Sequence, residues 1–112
     1  ALGAKDIVQT SNRSEGLEDA HALYCKSWCA PQHYGRHEEE LEFRHALTTW
    51  CVADDWFKSA RPDAKFMHCL PVRRNVKVCD EVLDGPRSVV TRQAENRMHV
   101  QKSVLMTLME NN

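Results

Sequence analysis

The chain has 112 residues, 42% of them hydrophobic, with fifteen basic side chains against sixteen acidic ones. That length and a mean hydropathy of −0.58 suit one domain, or a piece of one, with a modest core. The near-cancelling charge excludes a global basic field for nucleic acid, and no apolar run approaches the ~20 residues of a membrane span.

Residues 1–10 carry Lys5 and Asp6 and lack the apolar region of a signal peptide. The first residue is Ala1 rather than Met, which fits a chain that begins inside a larger protein. Cys25, Cys29, Cys51, Cys69 and Cys79 are odd in number and follow no secreted framework. Free thiols in a reducing, cytoplasmic setting are the simplest expectation.

In chain order, residues 7–10 form a β-prone run, 11–16 are polar and turn-like, and 17–20 allow one helical turn. Residues 21–25 read as a short strand ending at Lys26, Ser27 and Trp28. Residues 31–42 open as a long loop broken by Pro31 and Gly35, and 38–47 turn helical. The Glu38, Glu39, Glu40 run reads as a solvated face. Residues 48–60 carry Trp50, Val52, Ala53, Trp56 and Phe57 at helical spacing, which predicts a helix capped by Thr48 or Thr49 and ended by Pro62.

Residues 65–70 read as a buried strand stopped by Pro71. Residues 80–83 predict a short helix terminated by Asp84, Gly85 and Pro86. A last short strand is expected over 88–91, and the strongest helix of the chain over 94–109. Short strands alternating with helices indicate an α/β unit. Loops rich in Arg and His after those strands place chemistry at strand C-termini.

On a wheel of ~100° per residue, Met98, Val100, Val104, Leu105, Leu108 and Met109 fall on one arc of the last helix. Arg97 falls inside that arc. A charge aimed inward near a helix N-terminus needs an anionic partner, so Arg97 is a candidate anion ligand. A snorkelling side chain or a structural ion pair would satisfy it equally well.

Three stretches carry a resemblance. His68, Cys69, Leu70 and Pro71 spell HCLP, and Ala94, Glu95, Asn96 and Arg97 spell AENR at the opening of the last helix. Residues 24–28 spell YCKSW. HCLP and AENR in this order resemble the aspartate/ornithine carbamoyltransferase family. Ordinary ornithine members carry an SMG-type loop where this chain has Lys26, Ser27 and Trp28, and lack the run Val72, Arg73, Arg74, Asn75, Val76, Lys77. In both respects the chain is similar to the N-acetylornithine and N-succinylornithine carbamoyltransferases.

The resemblance implies a partial Rossmann-like amino-acid-binding domain, with a parallel sheet and a long C-terminal helix. Residues 1–93 would belong to the ornithine/aspartate-binding domain. Residues 94–112 would be a helix packing back toward an N-terminal carbamoyl-phosphate domain. The S-T-R-T-R and HPxQ segments of that domain are absent here, so the resemblance covers roughly the C-terminal third of such an enzyme. The isolated chain would then be inactive, and the complete enzyme a homotrimer.

The implied reaction is attack by a δ-amine on carbamoyl phosphate, releasing phosphate and an N-acylcitrulline in arginine biosynthesis. It calls for aligned substrates, a neutral amine and positive charge, with neither cofactor nor metal. The resemblance gives part of that charge to Arg97. It gives the Cys69 and Leu70 carbonyls to N–H groups of the carbamoyl or δ-amino group, with Pro71 holding the turn. Lys26 and Arg73 would hold the α-carboxylate or acyl group, in a pocket shared with Trp28 and Lys77. Lys77 is equally readable as a surface lysine, Arg74 as solvent-exposed, and His68 as structural.

Two other classes compete. Cys25, Cys29, His33 and His37 recur every four residues and superficially suggest zinc, but Pro31 breaks the helix that would align them. A catalytically silent interaction domain on the same fold is the second.

Overall fold

The computed structural model describes residues 6–26 and 31–110. It begins with a polar turn. Asn12 Oδ1 accepts from the Ser14 and Glu15 N–H groups and caps α1, Arg13–Gly16. The sequence predicts a turn here, and this cap converts it to a helical turn. No strand forms over residues 7–10, where Ile7 is 89% exposed and has no sheet edge to join.

The sheet is two strands, β1 (Ala22–Cys25) and β2 (Lys65–His68), paired in parallel with Leu23 opposite Phe66 and Cys25 opposite His68. Parallel strands require a long crossover. Here it includes a 3-10 turn at Pro31–His33 and α2, His37–Ala46. Helix α2 carries Glu38, Glu39 and Glu40 in its first turn and Arg44 and His45 in its last, which complements the helix dipole. Glu40 pairs with Arg44 one turn on and is half-buried, while Glu38 and Glu39 are exposed as expected.

Residues 48–60 correct the sequence reading. They form two 3-10 turns, Thr48–Trp50 and Asp54–Lys58, around an extended Val52. The Val52 N–H donates to the Lys77 carbonyl at 2.8 Å, and its carbonyl accepts from the Cys79 N–H at 2.9 Å. A residue whose backbone is bonded to a segment so far along the chain is withdrawn from the helical ladder. The apolar spacing instead brings Trp50 and Trp56 edge to face at 5.7 Å and buries Phe57.

The core gathers Leu23, Val52, Phe57, Ala64, Phe66, Val78, Val82, Leu83 and Val90. Helix α3, Asp80–Leu83, forms as the sequence predicts and contributes two of these. Just past its end only glycine fits at position 85, because an added Cβ would lie 2.2 Å from the Glu81 carbonyl oxygen.

The expected strand over 88–91 shrinks to one bridge between Phe66 and Ser88. Phe66 donates to Arg87 and accepts from Val89, and the chain then turns at once into α4, Val90–Glu110. The last helix therefore starts before Ala94. Its first turn is anchored by buried Val90 and by Gln93 Nε2 donating to the Tyr24 hydroxyl at 3.2 Å. Beyond that point its apolar arc is open, with Met98 61% and Leu105 61% exposed. No helix among the described residues is long and apolar enough to cross a membrane.

Candidate active site

The two parallel strands end side by side, Cys25 against His68, and the sequence-predicted residues follow those ends. Lys26 leaves β1 and is exposed; Trp28 lies outside the described residues. After β2, Cys69 is half-buried and leads into a sharp turn at Leu70 and Pro71. Leu70 has φ 50° and its bond to Pro71 is cis. A positive φ on a leucine is uncommon and has to be held by its surroundings.

His68 holds it. Its Nδ1 accepts from the Leu70 N–H at 2.9 Å, and the ring is 1% exposed. Burial pushes the His68 pKa below its ordinary value, and the charge of Lys77 pushes the same way. The neutral ring, with its proton on Nε2, is the form that serves the turn. This hydrogen bond gives His68 a structural part in the turn, in keeping with the sequence reading of a buried strand end.

The loop after Pro71 is braced from two sides. Arg74 bridges to Val78, and Val78 to Val52. The Arg74 guanidinium donates through Nη1 to Asp80 at 2.7 Å, and through Nη1 and Nη2 to the two Asp84 oxygens at 2.6 and 2.8 Å. Asn75, at φ 56°, donates to Asp80 and accepts from its N–H. Hydrogen bonds from Arg74 hold Asp80 and Asp84 below the usual carboxylate range, with Asn75 adding to the effect at Asp80. Arg74 is exposed yet held by two carboxylates, so it clamps the loop.

Arg73, its neighbour, is exposed. Its carbonyl accepts from the Val76 and Lys77 N–H groups, which shapes the turn. Lys77 is 3% exposed, and this burial excludes the surface-lysine reading. Its charge acts at both Cys25 and His68, the paired residues at the strand ends.

Arg97 sits about two turns into α4 rather than at the helix N-terminus, and it is exposed. The expectation of an inward charge at a helix start is thereby corrected. The arc it shares faces open space instead of a core. It does line a cavity of about 610 Å³ with Leu70, Pro71, Val72, Arg74 and Asp84. The structure thus brings Leu70, Pro71 and Arg97 to one cavity, while Lys26, Arg73 and Lys77 are not among its walls.

The sequence reading did not find Asp84 or the role of Arg74. An Asn75 to Asp80 pairing leaves no pattern in one sequence, because its geometry depends on the turn. Among the described residues no group of three or more His, Cys, Asp or Glu side chains is placed to hold a metal. His33 Nδ1 lies instead 2.9 Å from a Glu39 carboxylate oxygen, and Cys29 of the four-residue series lies outside the described residues.

The aspartate/ornithine carbamoyltransferase Asp/Orn-binding domain matches residues 2–108. An ornithine carbamoyltransferase of Geobacter sulfurreducens is 36% identical over 104 residues, covering 93% of this chain and 33% of that protein. The solved ornithine carbamoyltransferase of Pyrococcus furiosus is 41% identical with a TM-score of 0.72, covering 84% of this chain and 29% of the other. A solved N-acetyl-L-ornithine transcarbamylase is 34% identical with a TM-score of 0.80, covering 88% and 30%. The chain spans about a third of the length of the relatives it matches. It belongs to the Asp/Orn-binding domain of the aspartate/ornithine carbamoyltransferase family.

Proposed function

We propose that this chain is the amino-acid-binding portion of a carbamoyltransferase that carbamoylates the δ-amine of an N-acylornithine. The observation that carries the reading is the shared cavity of Arg97 with the Leu70 and Pro71 turn. A guanidinium there would offset charge on the carbamoyl oxygen and the departing phosphate. The rigid turn would present the Cys69 and Leu70 carbonyls as fixed acceptors for N–H groups. Lys26 and Arg73, with Trp28 and Lys77, would hold the carboxylate or acyl end. No covalent intermediate is needed: the amine lone pair attacks the carbamoyl carbon, and the C–O bond to phosphate breaks. In this reading the Cys69 thiol takes no part.

Support for the acylated substrate comes from the Lys26, Ser27, Trp28 loop and the run from Val72 to Lys77. The likeness to a solved N-acetylornithine transcarbamylase in a complex with carbamyl phosphate and N-succinyl-L-norvaline, at a TM-score of 0.80, is in keeping with it. Ordinary ornithine carbamoylation is the second reading, favoured by the 41% identity to the Pyrococcus furiosus enzyme.

The exposed arc of α4 suits a face covered by the carbamoyl-phosphate domain of a complete, cytoplasmic, homotrimeric enzyme of arginine biosynthesis. Residues 94–112 would then pack toward that domain. The isolated chain, with an open half-site, would not catalyse the transfer.

The test is citrulline-derivative formation by the full-length protein. Arg97→Ala should lower kcat by about 10²–10³, the usual loss for one preorganised charge donor. Near-normal turnover would return Arg97 to a structural role.

A further inference from the structure

Outside the proposed site, two cysteines stand together. Cys51 Sγ and Cys79 Sγ lie 3.5 Å apart, on segments joined by the Val52 to Val78 bridge. The Val52 and Val78 side chains are buried at 2% and 0% exposed, which fixes the two segments against each other. Both thiols are half-buried and neither is in a disulfide. Closing the pair means shortening this 3.5 Å approach to the ~2.05 Å of a disulfide bond.

We propose that Cys51 and Cys79 form a reversible intramolecular disulfide, made by exchange with a small-molecule disulfide of the glutathione class. In the first step one cysteine thiolate attacks a sulfur of the oxidised reagent and releases one reduced thiol, leaving a mixed disulfide on the protein. The second cysteine then attacks the protein-side sulfur and releases the other reduced thiol. Two protein thiols are oxidised, one small disulfide is reduced to two thiols, and the protons pass to those products. The second step is intramolecular and favoured by the 3.5 Å approach.

Burial and the hydrogen bond with Cys79 push the Cys51 pKa up to about 11, so near neutral pH Cys51 persists as a thiol. That restrains spontaneous exchange and leaves oxidation dependent on the reagent. The link would fasten the end of the loop bearing Arg73 and Lys77 to the buried Val52 segment. The proposal is independent of which amine the protein carbamoylates.

Other thiols offer a built-in control. Cys25 is within electrostatic range of both Cys69 and Cys51, so a link from Cys25 to either is a competitor. The experiment incubates the folded full-length protein with oxidised glutathione, alkylates free thiols, and maps peptides without reduction. The Cys51–Cys79 peptide pair should exceed every other cysteine pair several-fold and disappear with dithiothreitol. Cys51→Ser should leave Cys79 carrying glutathione alone, and Cys79→Ser the converse. Repeating the oxidation in urea should abolish the preference. A dominant link from Cys25 to Cys69 or to Cys51, or Cys51 and Cys79 recovered unlinked while other cysteines oxidise, would overturn the proposal.

Discussion

Arg74 grips Asp84 with two guanidinium nitrogens, at 2.6 and 2.8 Å, and so ties the loop after Pro71 to the end of α3. Both groups are exposed, so the pair contributes through geometry and charge rather than burial. The folded pKa of Asp84, like that of Asp80, is depressed below 3.8. The clamp is therefore present above that value and is lost as pH falls through the lower folded value. Thermal melts between neutral and strongly acid pH should show this loss in the wild type. Asp80→Asn combined with Asp84→Asn should flatten that limb of the profile and weaken the salt dependence of the melt.

His68 adds to the acid response in the same direction, but at higher pH. Its folded pKa is lowered from 6.5, so the unfolded chain binds more protons there as pH falls below that value. Stability should decline through that window, because protonating Nδ1 removes the acceptor for the Leu70 N–H and buries a charge near Lys77. Urea midpoints at about pH 7.5 and about pH 5.5 measure it, bracketing the ordinary histidine range. His68→Asn keeps an acceptor near the Nδ1 position and should lose most of the pH dependence. His68→Leu leaves the Leu70 N–H without its acceptor and should cost about 1–3 kcal/mol at either pH.

In the proposed function Arg73 and Lys26 would hold the amino-acid substrate rather than carbamoyl phosphate. Losing one charged hydrogen bond is worth about 1.5–3 kcal/mol, so Arg73→Ala or Lys26→Ala should raise KM for the acylornithine about ten- to a hundredfold. KM for carbamoyl phosphate should change little. Normal acylornithine affinity in both variants would remove them from the pocket. A similar rise for Arg74→Ala accompanied by lower thermal stability would point to the loop it clamps, and one without that loss to its place in the cavity wall.

The elements that local pattern predicted were those whose partners are near in sequence or whose hydrophobic run is unambiguous. Both strands, α2, α3 and α4 fall in this group. Residues 48–60 failed because Val52 pairs with Val78, and a helical spacing of Trp50 and Trp56 cannot reveal that bond. The start of α4 moved to Val90 because the Ser88 bridge uses one residue where a strand needs several.

For the site, HCLP and AENR were legible as motifs, and their meeting in one cavity was not. It depends on how α4 leaves the sheet. The burial of Lys77 was undecided in the sequence, since a lysine between Val76 and Val78 is as readable on the surface as in a pocket. Leu70 at positive φ has no sequence signature either, and the His68 hydrogen bond explains how a leucine holds that conformation.

The most direct measurement is the substrate preference of the full-length protein. Carbamoyl phosphate is supplied with ornithine, N-acetylornithine or N-succinylornithine, and kcat/KM is read from the citrulline product of each. Carbamoylation of an N-acylornithine with kcat/KM at least about a hundredfold above that for ornithine is expected, since in the proposed reading the acyl form would fill contacts that free ornithine would leave unpaired. Higher kcat/KM for unmodified ornithine would contradict the acylornithine assignment while leaving the carbamoyltransferase reading in place. No carbamoyl transfer to any of the three would contradict both.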